Sequence, residues 1–172
     1  MAVKMEVAPS DLDSWTLEAA PSIPSSALVN PLAMLRALCR QESSYGANPV
    51  PRHEAIWCPN EHDKQWRDMH KVATARHRDW GCLACCSYGV MQPFYHTLVD
   101  HGILLDPTPL LDQRIAFDKA VALLIKKILK QRPQSIFGIG DMWNSGSCND
   151  LIHPTNYMNS LEHHYNEELK RL

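Results

Sequence analysis

PLAMLRALCRQESSYG, residues 31–46, decides what kind of fold this chain adopts. Asn30 is a good helix N-cap and Pro31 suits the first helical position. Leu32, Leu35, Leu38 and Cys39 then recur at helical spacing and draw one apolar stripe. Gly46, Asn48, Pro49 and Pro51 end the helix. About seven residues complete two helical turns, so Glu42 falls in line with Leu35, one turn beyond Leu38. A carboxylate thus prolongs the buried stripe, at the helix end whose dipole disfavours negative charge. Desolvation and dipole both favour the protonated acid, the state a general acid needs at neutral pH. Alternatively, Glu42 pairs with Arg36, Arg40 or Arg52 and is only structural.

Working outward, the other strong helix is Leu111–Arg132. Phe117, Val121, Leu124, Ile125 and Ile128 form its stripe, and Lys126, Lys127 and Lys130 suit its C-terminal end. Weaker helical patterns cover Asp63–Arg78, Pro93–Asp100 and Gln134–Trp143. A closing helix spans Thr155–Leu169, with Tyr157, Leu161, Tyr165 and Leu169 at four-residue steps. No period-two strand stands out, except for short pairing inside residues 52–86. The expected class is mainly α. Residues 1–29 read as an extended lead-in with a short helix near Leu12–Glu18, and 30–172 as one domain.

At 172 residues and 45% apolar composition, the chain is long enough for one sizeable core. A net charge of −2 gives no basic footprint for nucleic acid. No apolar run approaches the roughly 20 residues needed to span a bilayer. The first residues, MAVKMEVAPSDLDSW, lack the apolar core of a signal peptide. The chain is therefore expected to stay in a cytoplasm, to leave by another route, or to be a trimmed domain.

Residues 52–86 differ from the rest, being rich in His, Cys, Trp and charge. Cys58-Pro-Asn-Glu-His62 and Cys82-Leu-Ala-Cys85 together give C-x3-H followed by C-x2-C, within the range of structural zinc sites. The candidate ligands are Cys58, His62, Cys82 and Cys85; free thiols, or a disulfide from Cys58 to Cys82 or Cys85, are the alternatives. Cys39 reads as a buried free thiol. Cys148 completes the six cysteines, whose redox state stays open. A zinc enzyme built on this cluster is disfavoured, because no water-activating Glu sits in a recognisable metal motif.

Four segments resemble the motifs of the soluble lytic transglycosylases, relatives of goose-type lysozyme. RQESSYG (Arg40–Gly46) resembles their Glu-Ser signature. SYGVMQ (Ser87–Gln92) is similar to their Gly-Leu-Met-Gln segment, with Val90 for Leu. MWNSG (Met142–Gly146) is similar to Tyr-Asn-Ala-Gly, with Trp143 for Tyr and Ser145 for Ala. TNYMNSL (Thr155–Leu161) resembles the last, where a Tyr follows an Asn at the start of the closing helix. The likeness runs from Pro31 to Leu169 in the same order as in the family.

It implies a lysozyme-like single domain with 52–86 as an insertion, and cleavage of the MurNAc-β-1,4-GlcNAc bond of peptidoglycan. By that likeness Glu42 is the catalytic acid and Ser43 orients substrate or carboxylate. Gly89 lets backbone approach the sugar, and Met91 and Gln92 line the cleft. Asn144 bonds an N-acetyl group or hydroxyl, and Tyr157 points its hydroxyl at Glu42. Some longer relatives carry an Arg-aromatic-Glu segment after the first motif; here Arg52, His53 and Glu54 stand there, making Glu54 a cleft-wall residue.

The family's reaction uses one carboxylate, needs no cofactor and leaves a 1,6-anhydro product. With Glu54 as a base for water, the chain would instead be a hydrolysing muramidase. A non-catalytic glycan-binding or structural relative is the third possibility. The expected partner is a glycan strand, the expected state a monomer. The expected origin is a phage lysin, a virion-associated wall-degrading protein or a trimmed periplasmic domain.

Overall fold

The computed structural model describes residues 6–24, 29–146 and 155–172. It is mainly helical. Among the described residues there are α1 (Pro9–Ala19), α2 (Pro31–Ser43), α3 (Lys64–Met69), α4 (Lys71–Trp80), α5 (Tyr95–Asp100), α6 (Gln113–Gln131), α7 (Ile136–Asn144) and α8 (Asn156–Leu169). The paired strands β1 (Arg52–His53) and β2 (Cys86–Ser87) run antiparallel, Arg52 opposite Ser87 and His53 opposite Cys86. The short pairing expected inside 52–86 is therefore there. Cys148 lies outside the described residues.

Most helix starts follow from their caps. The Asn30 side chain accepts the Ala33 N–H, Asp112 that of Ile115, Ser135 that of Gly138 and Thr155 that of Met158. Each satisfies one of the amide donors that a helix start leaves without an intrahelical acceptor. α6 is buried on two faces. Phe117, Ala120, Val121, Leu124 and Ile128 join a core made with α1, α2, α7 and α8. Ala116 and Leu123 pack into a second cluster with Tyr88, Tyr95, Leu98 and Leu110.

Three expectations need correction. The short helix expected near Leu12–Glu18 is there as α1, but the lead-in around it packs on the core and does not run extended before the domain. Leu12 is fully buried, Trp15 packs on Phe117 with ring centroids 5.8 Å apart, and the Val7 N–H donates to the Gly46 carbonyl at 3.1 Å. The helix expected over Asp63–Arg78 is two helices that meet at His70, whose backbone leaves helical geometry at φ −105°, ψ 53°. In α8, Leu161 is buried as expected but Leu169 is exposed. Glu168 turns inward instead, because Arg40 and Arg171 both reach its carboxylate.

Candidate active site

α2 packs most extensively on α8, and this contact fixes the site. The buried Glu168 carboxylate accepts from Arg40 at 2.5 and 3.0 Å and from Arg171 at 2.7 Å. At the position next to Arg40, Gln41 accepts a hydrogen bond from Ser160 at 2.7 Å. These contacts bring the first turn of α8 over the last turn of α2. There the Tyr157 hydroxyl donates to Glu42 Oε1 at 2.5 Å, across 115 positions of sequence.

Glu42 ends the stripe formed by Leu35, Leu38 and Cys39, all fully buried. The arginines offered as alternative partners are engaged elsewhere. Arg36 pairs with Asp13 at 3.2 Å, Arg40 with Glu168, and Arg52 with Glu54 at 2.8 Å. Among the described residues Glu42 forms no ion pair; its hydrogen-bond partner is Tyr157. Burial raises its pKa above the ordinary carboxylate value and the negative charge of Glu54 adds to the rise. The Tyr157 hydrogen bond and the Arg52 charge oppose it without cancelling it. The proton is thereby held to a higher pH than an exposed glutamate would hold it.

Glu42 opens into a cleft of about 960 Å³, which Glu54, Gln92 and Asn144 also line. Glu54 directly follows β1 and lines the cleft beside the β1–β2 ribbon, its Oε1 accepting from Arg52 Nε and from Ser87 Oγ, each at 2.8 Å. Gln92 holds a left-handed backbone at φ +47°, and its amide donates to the Gly89 carbonyl at 2.6 Å and the Val50 carbonyl at 3.3 Å. The bond to Val50 ties the second motif to the loop before β1. Asn144 is the last residue of α7, so its side chain reaches the cleft from a helix end.

Three expected site residues have other work. The Ser43 hydroxyl is buried, donating to the Cys39 carbonyl at 2.9 Å and accepting the Gly46 N–H at 3.0 Å. It braces the left-handed turn at Ser44 and Tyr45 that ends α2 and touches no open space. Met91 is fully buried core. Gly89 is needed for packing on α6: it has φ +69°, and a Cβ there would lie 2.7 Å from Ala116 Cβ. None of the three lines the cleft.

The metal expectation changes in one ligand. His62 does not join the cysteines, because its Nε2 bonds with the Ile56 carbonyl at 2.9 Å and its ring stacks on Trp66 at 4.1 Å. Two other groupings have donor atoms all within 4.8 Å of one another, His53 with Cys58 and Cys85, and His77 with Cys58 and Cys82. Cys39 is a buried free thiol, as expected.

Sequence reasoning missed several cleft residues, Lys127 among them. Lys127 was assigned to the helix dipole, yet its side chain is buried and its Nζ donates to the Met142 carbonyl at 2.9 Å, above the Trp143 ring. Burial pushes its pKa down to about 8. The signal was the one that picked out Glu42: Lys127 stands one turn beyond Leu123 on a buried face. Trp57 and Trp143 add aromatic surface to the cleft walls.

A buried acid with an elevated pKa, a second carboxylate, amide side chains and aromatic walls suit acid-catalysed cleavage of a polar, ring-bearing substrate. Compared with known proteins, the chain matches no family model, no curated protein and no solved structure. Among the described residues, no helix is long and apolar enough to cross a membrane.

Proposed function

We propose that the chain is a glycan-cleaving enzyme that works through one carboxylic acid, Glu42. More narrowly, it is a lytic transglycosylase of lysozyme-like fold acting on the MurNAc-β-1,4-GlcNAc bond of peptidoglycan. One observation carries the proposal. Motifs far apart in sequence converge on Glu42, with Tyr157 bonded to it and Gln92 and Asn144 sharing its cleft.

Glu42 donates its proton to the glycosidic oxygen as the bond to the muramoyl C1 breaks. The C6 hydroxyl of the same sugar then attacks C1, and the Glu42 carboxylate takes its proton. The product is a 1,6-anhydro ring, and Glu42 is protonated again. Tyr157 steadies the carboxylate between these two states. Gln92 and Asn144 offer amide groups to N-acetyl substituents, and Trp57 and Trp143 offer faces to sugar rings. No metal or cofactor takes part.

Hydrolysis is the second reading, favoured by Glu54. That carboxylate lines the same cleft and is held by Arg52 and Ser87. A pair of carboxyl groups flanking the bond is what ordinary glycosidases use. As a wall-degrading protein, the chain acts from a phage lysate, a virion or the periplasm, as a monomer.

The test is digestion of purified peptidoglycan by wild type and by Glu42→Gln. Wild type releases soluble muropeptides and the variant does not. A wild type that co-sediments with peptidoglycan but releases nothing would make the chain a binding relative and overturn the enzyme assignment.

A further inference from the structure

We propose that Cys58, His77, Cys82 and Cys85 hold a structural zinc ion, and that this ion fixes the cleft wall carrying Glu54. The proposal does not depend on which reaction the cleft performs.

The donors come from three local structures. Cys58 lies between two single turns of 3-10 helix, Ala55–Trp57 and Pro59–Glu61. His77 is in the last turn of α4, and Cys82 and Cys85 belong to the tight turn Gly81–Cys85 that follows. Gly81, at φ +58° and ψ −145°, reverses the chain between them. His77-x4-Cys82-x2-Cys85 is therefore one compact unit that closes on Cys58. The donor atoms of Cys58, His77 and Cys82 lie within 4.8 Å of one another, and the Cys85 sulfur lies within 4.8 Å of that of Cys58.

A second observation points to a ligand. His77 Nε2 is buried and, among the described residues, has no hydrogen-bond partner. Such a nitrogen needs an acceptor, a donor or a metal. Beside three cysteines, a metal answers both the orphaned nitrogen and the crowding of sulfurs. Three thiolates and one imidazole are a donor set that selects tetrahedral zinc.

His53 also approaches Cys58 and Cys85, from the ribbon. Cys58, His77, Cys82 and Cys85 already make four, and a closed tetrahedral site needs no fifth ligand.

The surrounding segment needs such a cross-link. Ile56, Trp57, Met69 and Val72 are all exposed, so residues 52–86 bury little apolar surface of their own. β1 and β2 are each only two residues long. Yet Cys85 is one residue from β2, and its carbonyl accepts the Glu54 N–H at 2.8 Å. A zinc ion on Cys85 and Cys58 would lock both ends of the segment that presents Arg52, Glu54 and Ser87 to the cleft. The α2–α8 contact that sets Glu42 and Tyr157 lies outside the segment and stands without the metal.

The full chain is expressed and purified without chelator and its metals are measured by mass spectrometry. About one zinc per chain is expected. A mercurial that caps thiols should release it to a chromogenic chelator. Protein loaded with cobalt(II) should show the intense visible bands of tetrahedral thiolate coordination. His77→Ala and Cys82→Ser should lose the zinc, while His62→Ala and His53→Ala keep it. If the first pair fail to fold, cobalt spectra and mercurial release on wild type still decide the matter. Under about a tenth of an equivalent of zinc would overturn the proposal. So would iron in its place, a disulfide among Cys58, Cys82 and Cys85 in non-reduced peptide maps, or zinc retained by His77→Ala but lost from His53→Ala or His62→Ala.

Discussion

Replacing Tyr157 by Phe removes one hydroxyl and leaves the ring. In wild type that hydroxyl donates to Glu42 Oε1 at 2.5 Å. It stabilises the ionised carboxylate and so holds the Glu42 pKa below where burial alone would set it. Removing it must therefore raise the pKa further. A hydrogen bond to a charged group contributes about 1.5–3 kcal/mol, and about 1.4 kcal/mol corresponds to one pKa unit. Arg52 still faces the carboxylate and water can enter the space left by the hydroxyl, so the lower end applies. An upward shift of about one unit is expected. The assay is a carbon-13 NMR titration of protein labelled at the glutamate carboxyls, with the Glu42 resonance assigned by its loss in Glu42→Gln. If Glu42 titrates in wild type at the value of an exposed glutamate, or if Tyr157→Phe leaves it unmoved or moves it down, the electrostatic account of the site is wrong.

Glu42→Gln should stabilise the fold at neutral pH. A carboxyl whose pKa is raised by folding contributes favourably below its unfolded pKa, and loses that contribution as pH rises through the folded value. The glutamine variant should thus melt higher than wild type at pH 7, by a few degrees for each roughly 1 kcal/mol, and equally at a pH below about 4. Equal melting at both pH values would contradict the buried acid. Gly89→Ala combines a left-handed backbone with a Cβ placed 2.7 Å from Ala116 Cβ, and should destabilise by about 2–4 kcal/mol in urea unfolding. Adding Ala116→Gly should recover only the steric part, leaving about 1–2 kcal/mol of backbone strain and adding about 1 kcal/mol for a glycine inside α6.

The helix carrying Glu42 was legible because cap, stripe and stop signals agree over residues 30–51, and the stripe itself placed the carboxylate inward. α6 and α8 were legible for the same reason. Side-chain direction inside turns was not. Ser43 and Glu42 are neighbours at the end of α2, yet the Ser43 hydroxyl folds back on the Cys39 carbonyl, four residues earlier, while Glu42 faces the cleft. Gly89 carries a signal for close approach but not for what approaches, which proved to be Ala116. His62 has acceptable metal spacing from Cys58, but stacking on Trp66 draws it away. His77 reaches the cysteines only because α4 ends beside them. Lys127 shows the converse failure: its position on a buried stripe was readable, and the helix-dipole explanation hid it.

The central claim is that Glu42 serves as both acid and base, with the sugar supplying the nucleophile. It is tested most directly by mass spectrometry of the muropeptides released from purified peptidoglycan. Wild type and Glu54→Gln are predicted to give products ending in 1,6-anhydro-MurNAc, one water lighter than the reducing sugar, and Glu42→Gln is predicted to give none. Reducing ends from wild type that disappear in Glu54→Gln would contradict the claim and make the protein a two-carboxylate muramidase.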